Sequence, residues 1–268
     1  MLECVVNISE GRNLGRVARI AAAAGDALLD VHSDPHHHRS VLTLVGEDAV
    51  RAVASTAVAE LDLRPHEGAH PRLGVVDVVP FVALAGASPD DARAARDAFA
   101  RWFAEAHGVP SFLYGAERTL PEVRRDAFRG LVPDTGPRSP HPTAGAAAVG
   151  HRPVLVAYNV WISGTDLAGA RRLAAAVRGP GIRALGLQVG PRLQVSMNLI
   201  EPHEVGPAAA FDAVVAAARP EAVVVDGAEL VGLVPDAVLR AVPRARRQQL
   251  DLAAERTIEA RLRSRGAG

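Results

Sequence analysis

At 268 residues, 49% of them hydrophobic and 22% charged, the chain can bury a core as one large domain or two small ones, which excludes global disorder. Thirty arginines balance thirty acidic residues, so there is no basic footprint for nucleic acid or an anionic membrane, and no apolar run is long enough to span a bilayer. Lysine is absent and Cys4 is the only cysteine, which rules out lysine Schiff bases, pyridoxal phosphate attachment, a P-loop lysine, an internal disulfide and any cysteine-built metal centre.

Taken in chain order, LECVVNI (residues 2 to 8) predicts a strand, ended by the turn-and-cap cluster SEGRN before a helical stretch from Leu14 to Gly25. ALLDVH and SVLTLVG predict two strands separated by the polar segment SDPHHHR. Val50, Val53, Ala57, Val58 and Leu61 recur at helical spacing and predict an amphipathic helix that stops before Pro65; GVVDVVPF (residues 74 to 81) follows as a buried strand. The order β-α-β-β-α-β is the ferredoxin-like split motif. Ser88, Pro89 and Asp91 start a further helix that Gly108 ends, PSFLYG predicts a short strand, and residues 117 to 150 read as one short helix and a Pro/Gly-rich loop.

The pattern then repeats. PVLVAYNVWI is a strand, Leu167, Ala170, Ala174 and Val177 mark a helix face, ALGLQV and RLQVSMNLI are strands joined by the turn GPR, Pro207 to Ala218 is helical, and AVVVDG closes a second β-α-β-β-α-β unit. The C-terminal RARRQQLDLAAERTIEARLRSRG predicts one more surface or packing helix. The expected class is α/β (α+β), two ferredoxin-like subdomains with mixed sheets and a cleft between them. The start, MLECVVNISEGRN, lacks the charged-then-apolar order of a secretion signal, so a cytoplasmic chain is expected.

The densest polar cluster is RPHEGAHPRLG, residues 64 to 74. His66-Glu67-Gly68-Ala69-His70 matches the H-E-x-x-H zinc pattern in letters, but that pattern needs a helix to put both imidazoles on one face, and Pro65, Gly68 and Pro71 oppose one. As a loop, the segment holds His70 in extended geometry before Pro71, with Arg72 beside it. Histidine comes nearest to a general base at neutral pH without large tuning, although His70 could equally be a loop hydrogen-bonding residue. In HSDPHHHR, consecutive histidines on an extended chain point to opposite faces, so His36, His37 and His38 cannot all bind one ion; one imidazole and Arg39 offered to an anion fit the segment better, and no metal is expected. Asn7 with Ser9, Asn159, and Gln194 with Asn198 lie in otherwise apolar strands, where a buried amide is either satisfied within the core or faces a ligand.

These residues carry a resemblance. ECVVNISEGRN, LLDVHSDPHHHRSVLTLVG, LRPHEGAHPRLGVVDVVPF, VPSFLYG, VLVAYNVWISG, LQVSMNLIEP and AELVGLVP run in order over nearly the whole chain, which resembles the glutamate formimidoyltransferase (formiminotransferase) family of histidine catabolism, including the formiminotransferase domain of formiminotransferase-cyclodeaminase. The resemblance implies an N-terminal subdomain over 1–164 and a C-terminal one over 165–268, a homodimer, and folate bound in a groove between the subdomains. It implies transfer of a formimidoyl group between N-formimidoyl-L-glutamate and tetrahydrofolate, the folate being a co-substrate. The family's catalytic base falls on His70, and Asn7, His38, Arg39, Arg72, Asp77, Asn159, Gln194 and Asn198 fall on motif positions expected around the ligands. His32 replaces an acidic residue of mammalian members, and His38 replaces the asparagine usual before Arg39. These departures leave open a related enzyme moving a formyl or formimidoyl unit to another amine acceptor, and a non-catalytic folate-binding protein. Arg39, Arg72 and Arg192 are expected to hold the anionic glutamate and folate tail.

Overall fold

A computed structural model describes residues 1–68 and 71–265. The chain divides into two compact units, Met1–Pro153 and Val154–Gly268.

The first unit begins with β1 (Leu2–Ile8), α1 (Leu14–Ala22), β2 (Leu28–Asp34), β3 (Arg39–Val45), α2 (Glu47–Glu60) and β4 (Val76–Ala83). It continues through α3 (Pro89–His107), β5 (Ser111–Tyr114), α4 (Leu120–Asp126) and β6 (Ala147–His151). Its sheet has the order β2-β3-β1-β4-β6-β5, antiparallel through β4 and parallel from β4 to β6 and β5, so it is a mixed sheet with a split β-α-β-β-α-β motif as its first four strands. Cys4, Val6, Ile8, Leu42, Leu44, Val79 and Phe81 point to the face where α1, α2 and α3 bury Ile20, Val53, Phe99 and Phe103. Helix α3 starts at the Ser88–Asp91 capping box and ends at left-handed Gly108, as the sequence predicts.

A smaller cluster sits on part of the opposite face, where Val123 of α4 packs with Val78, Phe112, Tyr114, Ala146 and Ala148. Helix α4 is a single short stretch nucleated by a second capping box, Thr119 with Glu122, and Val123 anchors it against the strand pair β5 and β6. Strand β6 was expected to be loop. Its sequence, Ala147-Ala148-Val149-Gly150-His151, has little intrinsic strand preference, and it becomes a strand because β4 and β5 supply parallel partners on both sides.

The second unit holds β7 (Val156–Ser163), α5 (Leu167–Val177), β8 (Ile182–Val189), β9 (Arg192–Leu199), α6 (Pro207–Ala218) and β10 (Val224–Val231), then α7 (Asp236–Arg240), α8 (Arg244–Arg247) and α9 (Ile258–Arg265). Its sheet order, β10-β7-β9-β8, is the split motif again, here antiparallel at every pairing rather than mixed. Strand β7 precedes the boundary expected at Gly164, yet it is hydrogen-bonded between β9 and β10, so packing divides the chain after Pro153. The C-terminal segment is not the continuous helix its arginine-rich composition suggests. Between α8 and α9 the chain turns inward to bury Leu250 and Leu252, with Asp251 at φ 52° and the Tyr158 hydroxyl donating to the Leu250 carbonyl at 2.9 Å. Burial of two leucines outweighs local helix propensity there.

Helix α5 lies directly on Gly186 of β8, where a Cβ would come within 2.3 Å of the Ala170 backbone. Gly186→Val is therefore expected to force helix and sheet apart and to cost about 2–4 kcal/mol of stability. Denaturant unfolding followed by Trp161 fluorescence checks this, and a midpoint equal to wild type would show that the helix moves aside freely.

Candidate active site

The sequence-predicted residues of the first unit converge on Asp77. Along the β1–β4 pairing, Asn7 pairs with Val78 and Ile8 with Val76, so Asp77 is the extra residue of a β-bulge, a device that re-aims a side chain. Its carboxylate is fully buried. Oδ1 accepts the Leu73 N–H at 2.7 Å and Oδ2 accepts Arg39 Nη1 at 2.7 Å and Arg124 Nη2 at 2.6 Å. Burial pushes this carboxyl up, but Arg39 and Arg124 outweigh it and hold it below the usual aspartate range, so Asp77 is ionised. Arg39 in turn donates from Nε to Asn7 Oδ1 at 3.0 Å, while Asn7 Nδ2 donates to the Val5 carbonyl at 2.9 Å.

Arg72 donates to the Gly68 carbonyl at 2.7 Å, and Arg124 Nη1 donates to the Pro71 carbonyl at 2.8 Å. His70 and Ala69 lie outside the described residues, but the chain on either side of them is thus fastened by a guanidinium. Burial drives the Arg39 guanidinium down to about 10 despite Asp77, and Arg124 and Arg72 add repulsion. An incoming anion would relieve that repulsion through charge-assisted hydrogen bonds.

Two further imidazoles border the cluster. His38, in a left-handed backbone conformation at φ 51°, stacks on His66 with ring centroids 4.0 Å apart, and His66 Nε2 meets the His38 carbonyl at 3.1 Å. Gly68 permits this close approach, because a Cβ there would lie 2.6 Å from the His37 carbonyl and 2.9 Å from the His38 Cβ. His38 Nδ1 accepts the Gly11 N–H at 3.2 Å and also lies 3.4 Å from the Glu10 carboxylate, which accepts the Arg12 and Asn13 N–H groups in the turn before α1. Burial lowers both imidazoles, His66 and Arg72 adding to the effect on His38 and Arg72 on His66, so both rings are neutral at pH 7 and His38 Nδ1 acts as an acceptor.

Because His38, His66, His107 and His151 are all lowered by burial, the unfolded chain takes up protons before the folded one as pH falls below the ordinary histidine value. Stability is expected to be full above about pH 6.5 and to decline below it, by a few degrees in Tm per unit of pH. Thermal melts at pH 7.5 and pH 5.5 test the sign, and a higher Tm at the lower pH would refute it.

In the second unit Asn159, Gln194 and Asn198 share the face of the sheet opposite α5 and α6, as the pairings Asn159↔Ser196, Trp161↔Gln194 and Ala157↔Asn198 require. Asn159 Nδ2 donates to Glu229 at 3.1 Å, Gln194 is buried and Asn198 is exposed. Arg192 lies with its guanidinium 4.1 Å from the centre of the Trp161 ring, a cation–π contact.

Several expectations can be placed. His66 to Gly68 lie beyond the end of α2 and are not helical, so the H-E-x-x-H letters do not form the helical zinc motif. His36 is exposed and His37 faces Asp34 at 3.2 Å; among the described residues no three metal-ligating side chains gather. Cys4 is buried in the first core, and burial pushes its thiol up, which leaves it unsuited to nucleophilic attack. Arg124 and Glu10 were not singled out from the sequence. Arg124 follows Val123, the buried residue of α4, and nothing local separates it from Arg125, which pairs with Asp126 at the surface.

Residues 1–152 match the model for the formiminotransferase domain, N-terminal subdomain. The glutamate formimidoyltransferase of Streptococcus pyogenes serotype M1 is 35% identical over 266 residues, covering 88% of this chain and 89% of that protein. That of Thermoplasma acidophilum is 33% identical over 273 residues, covering 89% of each. The chain belongs to the formiminotransferase family. The formimidoyltransferase-cyclodeaminase of Sus scrofa is 34% identical over 272 aligned positions, with 88% of this chain and 50% of that longer protein covered. Formiminotransferase membership makes the chain a transferase, and no helix among its described residues is long and apolar enough to cross a membrane.

Proposed function

We propose that this protein transfers a formimidoyl group between N-formimidoyl-L-glutamate and tetrahydrofolate, with His70 as general base. The observation that carries the reading is the set of guanidiniums beside the buried carboxylate of Asp77: Arg39 and Arg124 pair with it, Arg72 and Arg124 hold the Gly68 and Pro71 carbonyls on either side of position 70 in the chain, and Arg39 and Arg72 are the candidates to orient a ligand anion. Glutamate and the folate tail are anions, and fixed guanidiniums are the side chains best suited to orient carboxylates. His70 takes the proton from the attacking amine and returns it to the departing nitrogen, so one imidazole serves both half-steps. Asp77 keeps Arg39 and Arg124 in place, and Arg72, bonded to the Gly68 carbonyl, presents its guanidinium to the ligand. Asn7 orients Arg39, His38 borders the ligand, and Asn159, Gln194 and Asn198 supply further polar contacts. Holding both substrates together accounts for the rest of the rate. The family resemblance supports a homodimer working in the cytoplasm.

Incubating the purified protein with N-formimidoyl-L-glutamate and tetrahydrofolate, and reading products by mass, tests the proposal. Formimidoyl-folate and free glutamate are expected. Transfer only from a formyl-folate donor, or to a different amine, would replace it with the related transferase, and ligand binding with no transfer to any acceptor would leave a folate-binding protein.

A further inference from the structure

We infer that Arg124 is a positioning residue for the general base, acting through the carbonyl of Pro71 and the carboxylate of Asp77; this rests on the reading of His70 given above. Four observations converge on it. Helix α4 is held to the sheet by Val123, which is fully buried, so the side chain that follows starts from a fixed point. The loop entering α4 is itself pinned, since Arg96 is bound to Glu117 and to the Tyr114 carbonyl, and Arg118 to the Leu113 carbonyl. From there the guanidinium of Arg124 reaches Asp77 Oδ2 at 2.6 Å and the Pro71 carbonyl at 2.8 Å. Asp77 then accepts the Leu73 N–H at 2.7 Å. The peptide that follows His70 is therefore tied at Pro71 and again at Leu73, and both ties pass through groups that Arg124 touches.

The geometry asks for arginine. A planar fork can give one nitrogen to a carbonyl and another to a carboxylate, whereas an ammonium is a point charge that satisfies one direction well. The side chain is 18% exposed and both terminal nitrogens of the guanidinium bond Pro71 or Asp77, which separates it from a substrate-gripping role. A base displaced by even a fraction of an ångström loses rate while substrate binding elsewhere is kept.

The test compares Arg124→Lys, Arg124→Ala and, as a control, Arg125→Ala, whose side chain pairs with Asp126 at the surface. Arg124→Lys is expected to lower kcat by about 10- to 100-fold, with KM for both substrates within about threefold. Added guanidinium ion should restore part of the kcat of Arg124→Ala, and Arg125→Ala should match wild type. Hydrogen exchange supplies a readout that needs no turnover: peptides spanning residues 64–75 should exchange faster in Arg124→Ala, with β1 and β3 unchanged. A rise in KM at constant kcat would make Arg124 a substrate contact and overturn the inference. Unaltered exchange over 64–75 would overturn it as well, even if wild-type protein proved inactive on these substrates, in which case the proposed function fails separately.

Discussion

Replacing His70 with alanine is expected to lower kcat by about 10²- to 10⁴-fold, equivalent to about 3–5 kcal/mol of barrier, while leaving substrate affinity nearly intact. The size follows from the role. A general base acts on the proton in flight, so its removal affects the transition state and not the carboxylate contacts proposed for the arginines. Steady-state kinetics with both substrates, together with direct folate titration, separate the two effects. A loss confined to KM would mean that position 70 binds substrate and that the proton goes elsewhere.

The second large effect is on stability. Asp77→Asn keeps the shape of the side chain and removes the carboxylate that pairs with both Arg39 and Arg124, whose side chains are only 15% and 18% exposed. Two guanidiniums would then share a buried site with that counter-charge removed, and breaking such a pairing on one side costs about 3–5 kcal/mol. The amide can still accept the Leu73 N–H but must turn its NH₂ toward a cation at the other position. Chemical denaturation should show the loss, and turnover should fall with it because both ties on the peptide after His70 depend on this carboxylate. A variant within about 0.5 kcal/mol of wild type would mean that solvent already screens the arginines and that Asp77 does not organise the site.

Much of this was legible in the amino-acid sequence, for local reasons. Strands such as Leu2–Ile8 alternate, α3 is bracketed by Ser88, Pro89, Asp91 and Gly108, and the order of elements alone points to a split motif used twice. What escaped was set by tertiary context. Strand β6 is rich in alanine and acquires its conformation from β4 and β5, and Leu250 and Leu252 break an otherwise helical C-terminal segment by entering the second core. The same holds at the site. Asn7 stands out as an amide in an apolar strand, where a satisfied partner is demanded, and Arg39 and Arg72 as cations beside the histidine segments, whereas Asp77 came only with the family resemblance. Arg124 lies on a short polar helix among other arginines, so only the packing of Val123 reveals that it faces Asp77. The bulge at Asp77 likewise depends on a register between β1 and β4 that no single segment encodes.

The most direct test of the account is the pH dependence of kcat/KM for wild-type protein beside His70→Ala. Wild type should lose activity on the acid side in proportion to protonation of one group in the histidine range, and the variant should lack that limb along with most of its rate. The same acid limb in both proteins, at comparable turnover, would contradict it, since the titrating group would then lie elsewhere.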